Sequence, residues 1–257
     1  MRRSMLVLLA LPLVAVACGG SGKSGSTTAA LSADPATAVK NAAVQTAGAG
    51  SEHLSLVGRV AASGQKLAIS GSGLFDTNAH VGTLHATLAT SGINAALDEV
   101  SKGTALYLKS DLLAAMLPAG KSWIKLDLAK LAKSQGLDAS ALLSEDPSQA
   151  LKQLQSLGSV TKVGTEQIGG VATTHYHAPI DVSKLPGSLK TGTGSYDVWV
   201  GDSDGYVHRV RTVITSAGSK ATITTNFSGF GDKVTVDVPS AAQTFDGSGT
   251  AIPGLGG

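Results

Sequence analysis

Short runs in which apolar and polar side chains alternate fill most of this chain. In 53–60 (HLSLVGRV), Leu54, Leu56 and Val60 alternate with Ser55, Val57 and Arg59. The same two-residue period recurs at 66–75, 80–89, 93–99 and 105–109, and again at 160–168, 171–178, 195–202, 206–216, 220–228 and 232–238. A period of two marks a strand with one face buried and one face wet. The separators are Gly169-Gly170, Asp202-Ser203-Asp204-Gly205 and Ala217-Gly218-Ser219, all of them hairpin-turn chemistry. Strands that follow one another through short turns, with no helix between, predict an antiparallel meander rather than a parallel α/β sheet.

Helical spacing interrupts this pattern twice. Asp34-Pro35 supplies an N-cap and a first-turn proline, and an Ala-rich run continues to about Gly48. There Val39, Ala42, Ala43 and Thr46 fall on one side, a small-residue face suited to close packing on a sheet. In the middle of the chain, Ser110-Asp111 opens a short helix carrying Leu112, Leu113, Met116 and Leu117, ended by Pro118-Ala119-Gly120. A brief extended piece holds Trp123, Ile124 and Leu126. Two or three further helical pieces are predicted over 127–157, with Asp146, Pro147 and Gln149 capping the last. This region is rich in leucine: Leu128, Leu131, Leu137, Leu142, Leu143, Leu151, Leu154 and Leu157. The prediction is an α+β domain over 34–240. It comprises one strongly curved antiparallel sheet, a half-barrel of ten or eleven strands, with helices on its concave face. Pro239 stops the last strand, and 241–257 reads as a loosely held Gly-rich tail.

The first residues determine the compartment. Arg2 and Arg3 precede a twelve-residue apolar run, Met5 to Val16, and then Ala17-Cys18. A charged start, a short apolar stretch and a small-residue processing site make 1–17 a signal peptide. A membrane span needs about 20 apolar residues, and this run falls short. Val14-Ala15-Val16-Ala17-Cys18 resembles the bacterial lipobox, with Ala15 where that pattern usually has Leu. The resemblance implies cleavage before Cys18 and a thioether-linked diacylglycerol on its sulfur, which anchors the chain to the extracytoplasmic face of the cell membrane. Segment 18–33 is then a lipidated Gly/Ser-rich tether. Its fourteen residues from Gly19 to Ser32 would span roughly 20 Å as a flexible coil.

Composition narrows the function classes. The chain has 257 residues, 20 basic against 18 acidic side chains, only 15% charged residues and one cysteine. That balance leaves no basic face for a nucleic acid. A lone cysteine excludes a disulfide framework and Cys-rich metal sites. Gly22-Lys23-Ser24 imitates the end of a phosphate-binding loop, but no strand precedes it and its first glycine would have to stand at Ala17. His175 and His177 share one strand face at a spacing metal sites can use, with no carboxylate nearby in sequence. Asp202 to Gly205 resembles the start of a calcium loop, whose acidic twelfth position would be Val213; a hairpin turn accounts for it better. No G-x-S-x-G elbow is present, and Cys18 is committed to the anchor. The expectation is a non-enzymatic protein with no cofactor and no metal. Arg209 and Arg211 share a strand face, read as the exposed side of a half-buried strand or as a contact for an anionic headgroup.

Several stretches, in order, resemble the actinobacterial LppX/LprG-type lipoproteins, whose fold is similar to the LolA/LolB lipoprotein carriers. They are Val163-Gly164-Thr165-Glu166 with Gly170-Val171, then Thr174-His175-Tyr176, 197–211 (DVWVGDSDGYVHRVR) and 227–239 (FSGFGDKVTVDVP). The resemblance implies a half-barrel wrapped over helices, enclosing an apolar cavity that takes acyl chains of a lipid or lipoglycan. A membrane transporter or acceptor protein would then be a partner. The residues themselves leave two readings open. Leu112, Leu113, Met116, Leu117, Leu128, Leu131, Leu142 and Leu143 line a ligand cavity, or they fill a tight core. With a cavity, the chain is a lipid carrier of the cell envelope; with a filled core, it is a tethered interaction or sensor module.

Overall fold

The computed structural model describes residues 34–62, 64–114, 116–130, 154, 157–182, 192–216 and 218–248. Helix α1 (Pro35–Ala47) begins where the cap predicts. The Asp34 carboxylate accepts the Thr37 backbone N–H at 2.8 Å, and the helix closes on Gly48. Its buried side is the small-residue face, Ala38, Val39, Ala42, Ala43, Thr46 and Ala47.

Two antiparallel meanders follow. The first runs through β1 (Ser51–Ala62), β2 (Gln65–Asp76), β3 (Val81–Thr90), β4 (Ile93–Lys102) and β5 (Ala105–Ser110). After a single-turn helix α2 (Asp111–Ala114) it ends in β6 (Trp123–Asp127). The second comprises β7 (Thr161–Ile168), β8 (Val171–Ile180), β9 (Thr193–Gly201), β10 (Val207–Ser216) and β11 (Ser219–Ser228). A short β12 (Thr244–Asp246) completes the set. All twelve form one open, curled sheet in the order β12-β6-β5-β4-β3-β2-β1-β11-β10-β9-β8-β7. Pairing of β1 with β11 joins the two meanders at the centre, and only β12 runs parallel to its neighbour, β6. Gly169 and Gly170, at φ 58° and 86°, make the tight β7–β8 turn, whose two positive φ values only glycine adopts freely.

Three expectations change. The alternating stretch 232–238 forms no strand. Both neighbours of β11 are already in place, so the chain leaving it through Gly229 and Gly231 has no free edge to join. It crosses instead toward β6 at the far edge. The alternation records one-sided burial without a ladder: Val234 is buried, Val236 and Val238 are half-buried, and Lys233, Thr235 and Asp237 are exposed. Second, the chain stays on the sheet past 240. Thr244 and Phe245 pair with Trp123 and Ile124, and the Asp127 N–H donates to Ser248 Oγ at 2.9 Å. Third, the described residues form twelve strands, because the extended piece β6 and the short β12 join the sheet while 232–238 does not. The signal peptide 1–17, Cys18 and its tether lie outside the described residues, as do 131–153 with Leu131, Leu142 and Leu143.

Candidate functional site

Cross-strand partners point to the same side of a sheet, so the registers sort every strand residue onto one of two faces. The inner face, which carries α1, has the rows Leu56–Gly71–Ala86–Leu97 and Leu54–Gly73–Leu84–Glu99–Leu108–Ile124. A third is Gly58–Ile69–Leu88–Ala95. Continued across β11, the first row runs through Thr225, Val210 and Val198 to Tyr176.

The two halves of this face differ in how they are filled. Helix α1 packs on β7, β9 and β10. Its Val39, Ala42 and Ala43 meet Tyr176, Tyr196, Val198, Val200 and Val207 in a core that also takes in Leu154 and Phe227 and, from β1–β3, Leu54, Phe75, Leu84 and Ala86. Over β1–β6 the remaining inward side chains are mostly aliphatic or absent, with the carboxylates of Glu52 and Glu99 among them. Leu56, Leu67, Leu88, Leu97, Leu106 and Leu108 stay half-buried above a floor of Gly58, Gly71, Gly73, Ala86 and Ala95. Among the described residues, Phe245 faces inward at the β12 edge beside Ile124, and the aromatic ring that β1–β6 carry on this face is that of Phe75. It lies over Gly73 and Gly82, where an added Cβ would meet its ring carbons at 2.8 Å and 2.5 Å respectively. At the rim stands Glu52, opposite Phe75 and only 2% exposed. Nothing among the described residues hydrogen-bonds its Oε1, and burial pushes the carboxyl up from 4.5 to about 8.

The leucines singled out from sequence are placed as follows. Helix α2 sits beside β4 and β5. Leu112 is 60% and Met116 46% exposed, while Leu113, Leu117 and Leu128 are half-buried. The strand leucines of β1–β5 were not among the predicted lining residues. Their two-residue period carried the signal, but the helical leucine clusters are the more conspicuous feature of the sequence.

On the outer face, β8 and β9 bring together groups that sequence kept apart. His175 stacks on Trp199, with ring centres 4.3 Å apart and planes 8° from parallel. Asp197 Oδ1 lies 3.2 Å from His175 Nε2 and 2.8 Å from His177 Nδ1. A carboxylate distant in sequence is therefore supplied by the neighbouring strand. Glu166 accepts the Trp199 indole N–H and lies 3.6 Å from His175. Arg209 covers the Trp199 ring at 5.6 Å, and its Nε donates to Asn226 Oδ1 at 2.6 Å. Each of these groups has its partner within the cluster. No metal-binding group of three or more His, Cys, Asp or Glu occurs among the described residues. Arg209 and Arg211 both lie on this outer face, away from the aliphatic half-sheet. The Asp202–Gly205 segment is a turn: Asp202 accepts from Thr174 Oγ1 at 2.7 Å, and Asp204 accepts the Tyr206 N–H and meets His208 Nε2 at 2.9 Å.

No helix among the described residues is long and apolar enough to cross a membrane. Two solved structures share the fold. LprF from Mycobacterium bovis superposes with a TM-score of 0.53 at 16% identity, over 82% of this chain and 100% of that one. LppX from Mycobacterium tuberculosis does so with a TM-score of 0.52 at 17% identity, over 79% and 97%. In sequence, a 31.2 kDa protein of Streptomyces griseus is 29% identical over 170 residues, 55% of each chain. The Streptomyces coelicolor protein SCO4650, assigned to the lipoproteins, is 34% identical over 132 residues, 49% of this chain and 43% of its own. These matches span about half the length of the two Streptomyces relatives. The model of the LppX_LprAFG lipoproteins matches residues 34–236, and the chain belongs to that family.

Proposed function

We propose that this protein binds the acyl chains of a lipid or glycolipid against the inner face of β1–β6 and carries or transfers them within the cell envelope. Acylated Cys18 holds it on the extracytoplasmic face of the membrane. The observation that supports this reading is the uneven filling of the inner face. The half beneath α1 is closed by buried side chains, and that core continues onto β1–β3 through Leu54, Phe75, Leu84 and Ala86; beyond it half-buried leucines stand over glycine and alanine. Saturated chains need only apolar area, at about 0.8 kcal/mol per buried CH₂ before ordering costs. Leu112, Leu113, Met116, Leu117, Leu128, Leu131, Leu142 and Leu143 complete the wall in this proposal. Membership of a lipoprotein family agrees with it, and no step requires a catalytic group. A membrane transporter or acceptor protein would receive the cargo.

Native mass spectrometry of residues 34–248, expressed without the preceding segment, tests the reading. A co-purifying adduct of lipid mass is expected, and it should disappear in Leu97→Trp, which fills the space above that glycine and alanine floor. An unadorned mass with no uptake of added long-chain lipid would leave only a tethered interaction module.

A further inference from the structure

A hollow opens on the outer face, on the side of the sheet away from α1. It has a volume of about 640 Å³ and is floored by four adjacent strands, β1 to β4, with Trp123 reaching in from β6. This volume is within the range of small-molecule sites, about 300–1,000 Å³. The registers explain its shape. Ser55, Ser72, His85 and Asp98 form one outward row, and small hydroxyl side chains leave its β1–β2 end low. In the adjacent row Leu74 stands 37% exposed beside Thr83.

Three features define the ligand chemistry. Trp123 and Leu74 offer flat, apolar surface. Ser55, Ser72 and Thr83 offer hydroxyls that both donate and accept. The charged groups already answer one another: Asp98 meets His85 Nδ1 at 2.5 Å and Lys109 Nζ at 3.6 Å, while His53 Nε2 lies 3.5 Å from Asp232. Lys109 also sits 5.8 Å from the centre of the Trp123 ring, fixing one side of the indole. An anionic ligand would find no cation here that lacks a carboxylate partner, and a purely aliphatic one would strip water from a row of hydroxyls. A pyranose matches instead. It has an apolar C–H face for an aromatic ring and a rim of neutral hydroxyls for serine, threonine and carboxylate oxygens.

We propose that this outer groove binds a short neutral saccharide, stacked on Trp123 and hydrogen-bonded by Asp98 and the Ser55–Ser72–Thr83 floor. The site lies across the sheet from the aliphatic half-face and does not rest on lipid binding there.

The full chain, purified in a detergent without a sugar headgroup, is titrated calorimetrically in two arms. One arm uses soluble neutral oligosaccharides, an α-linked mannose and a β-linked glucose series. The other uses phosphatidylcholine vesicles with and without a diglucosyl diacylglycerol. Saturable binding in the soluble arm identifies free glycan as the source; binding confined to the glycolipid vesicles identifies a lipid headgroup. In either case Trp123→Ala and Asp98→Asn should each weaken binding at least tenfold, and Trp123→Phe should retain most of it. Circular dichroism checks each variant, and the half-buried Asp98→Asn decides the matter should Trp123→Ala unfold. Absence of saturable heat in both arms, or undiminished binding in Asp98→Asn or in a folded Trp123→Ala, overturns the proposal. Loss of the lipid adduct in Leu97→Trp leaves this result untouched, so the two readings fail separately.

Discussion

Glu52 sits where a carboxylate is hard to keep charged: 2% exposed, its Oε1 without a hydrogen-bond partner among the described residues, its carboxyl pushed up to about 8 by burial. The folded state therefore holds a proton on Glu52 that the unfolded chain, with an ordinary carboxyl near 4.5, gives up. A group whose folded pKa is raised stabilises the fold fully below the unfolded value, and that contribution is lost as pH rises through the folded one. Urea unfolding should accordingly show stability falling by a few kcal/mol between pH 5 and pH 8.5, because a tenfold change in proton affinity is worth about 1.4 kcal/mol. Glu52→Gln keeps the size and neutrality of the protonated acid, so it should flatten the profile and raise stability at the alkaline end. An unchanged slope in that variant would move the origin of the pH dependence elsewhere. Across the strand pair, Gly82 makes room for the Phe75 ring, since an added Cβ would lie 2.5 Å and 2.9 Å from its carbons. Gly82→Ala should cost about 1–3 kcal/mol through overpacking. Much of that loss should vanish when Phe75→Leu is added, and thermal melting of the two single variants and the pair measures the coupling.

At the scale of elements, α1 is held to the second meander by polar ties as well as by small-residue packing. Gln45 Nε2 donates to the Asp204 carbonyl in the β9–β10 turn. Thr46 Oγ1 donates to the Ala42 carbonyl at 2.7 Å and accepts the buried Val207 N–H at 2.8 Å. Thr46→Val keeps the shape of the side chain but strands the Val207 N–H, which should destabilise the fold by about 1–3 kcal/mol. Thr46→Ser should restore most of it, as equilibrium unfolding of both variants would reveal. This tie marks the limit of what sequence discloses. The cap at Asp34, the small face of α1 and eleven of the strands follow from local periods and turn residues, because each is determined within about a dozen positions. Thr46 was legible as a packing residue, but its acceptor role depends on a backbone amide 161 residues away. The place of Asp197 between His175 and His177 was illegible for the same reason: pairing of β8 with β9 puts it there. The failed strand at 232–238 had the right alternation, but alternation reports burial on one side and not the presence of a neighbour to bond with.

For the whole molecule, attachment and cargo have to be compatible, and the charge balance bears on how. Removal of residues 1–17 takes away Arg2 and Arg3, leaving 18 basic side chains against 18 acidic ones. A chain with no net charge has little electrostatic attraction for anionic lipid, which is worth about 1 kcal/mol per basic residue near the surface. In the proposal the hold on the membrane is therefore the lipid on Cys18. Two acyl chains are what stable anchoring takes, because one gives only reversible binding. The tether would stand the domain roughly 20 Å off, since a flexible coil reaches about 5–6 Å times the square root of its length. In that proposal both faces of the sheet stay clear of the headgroups and the aliphatic half-face is free to meet a lipid. Intact-mass spectrometry of membrane-extracted protein puts this to the test. The wild-type chain should begin at Cys18 and carry the added mass of a diacylglyceryl group. Cys18→Ala should retain residues 1–17 and show no acyl mass. A Cys18→Ala chain of mature length that still partitions fully into the detergent phase would mean the anchor lies elsewhere.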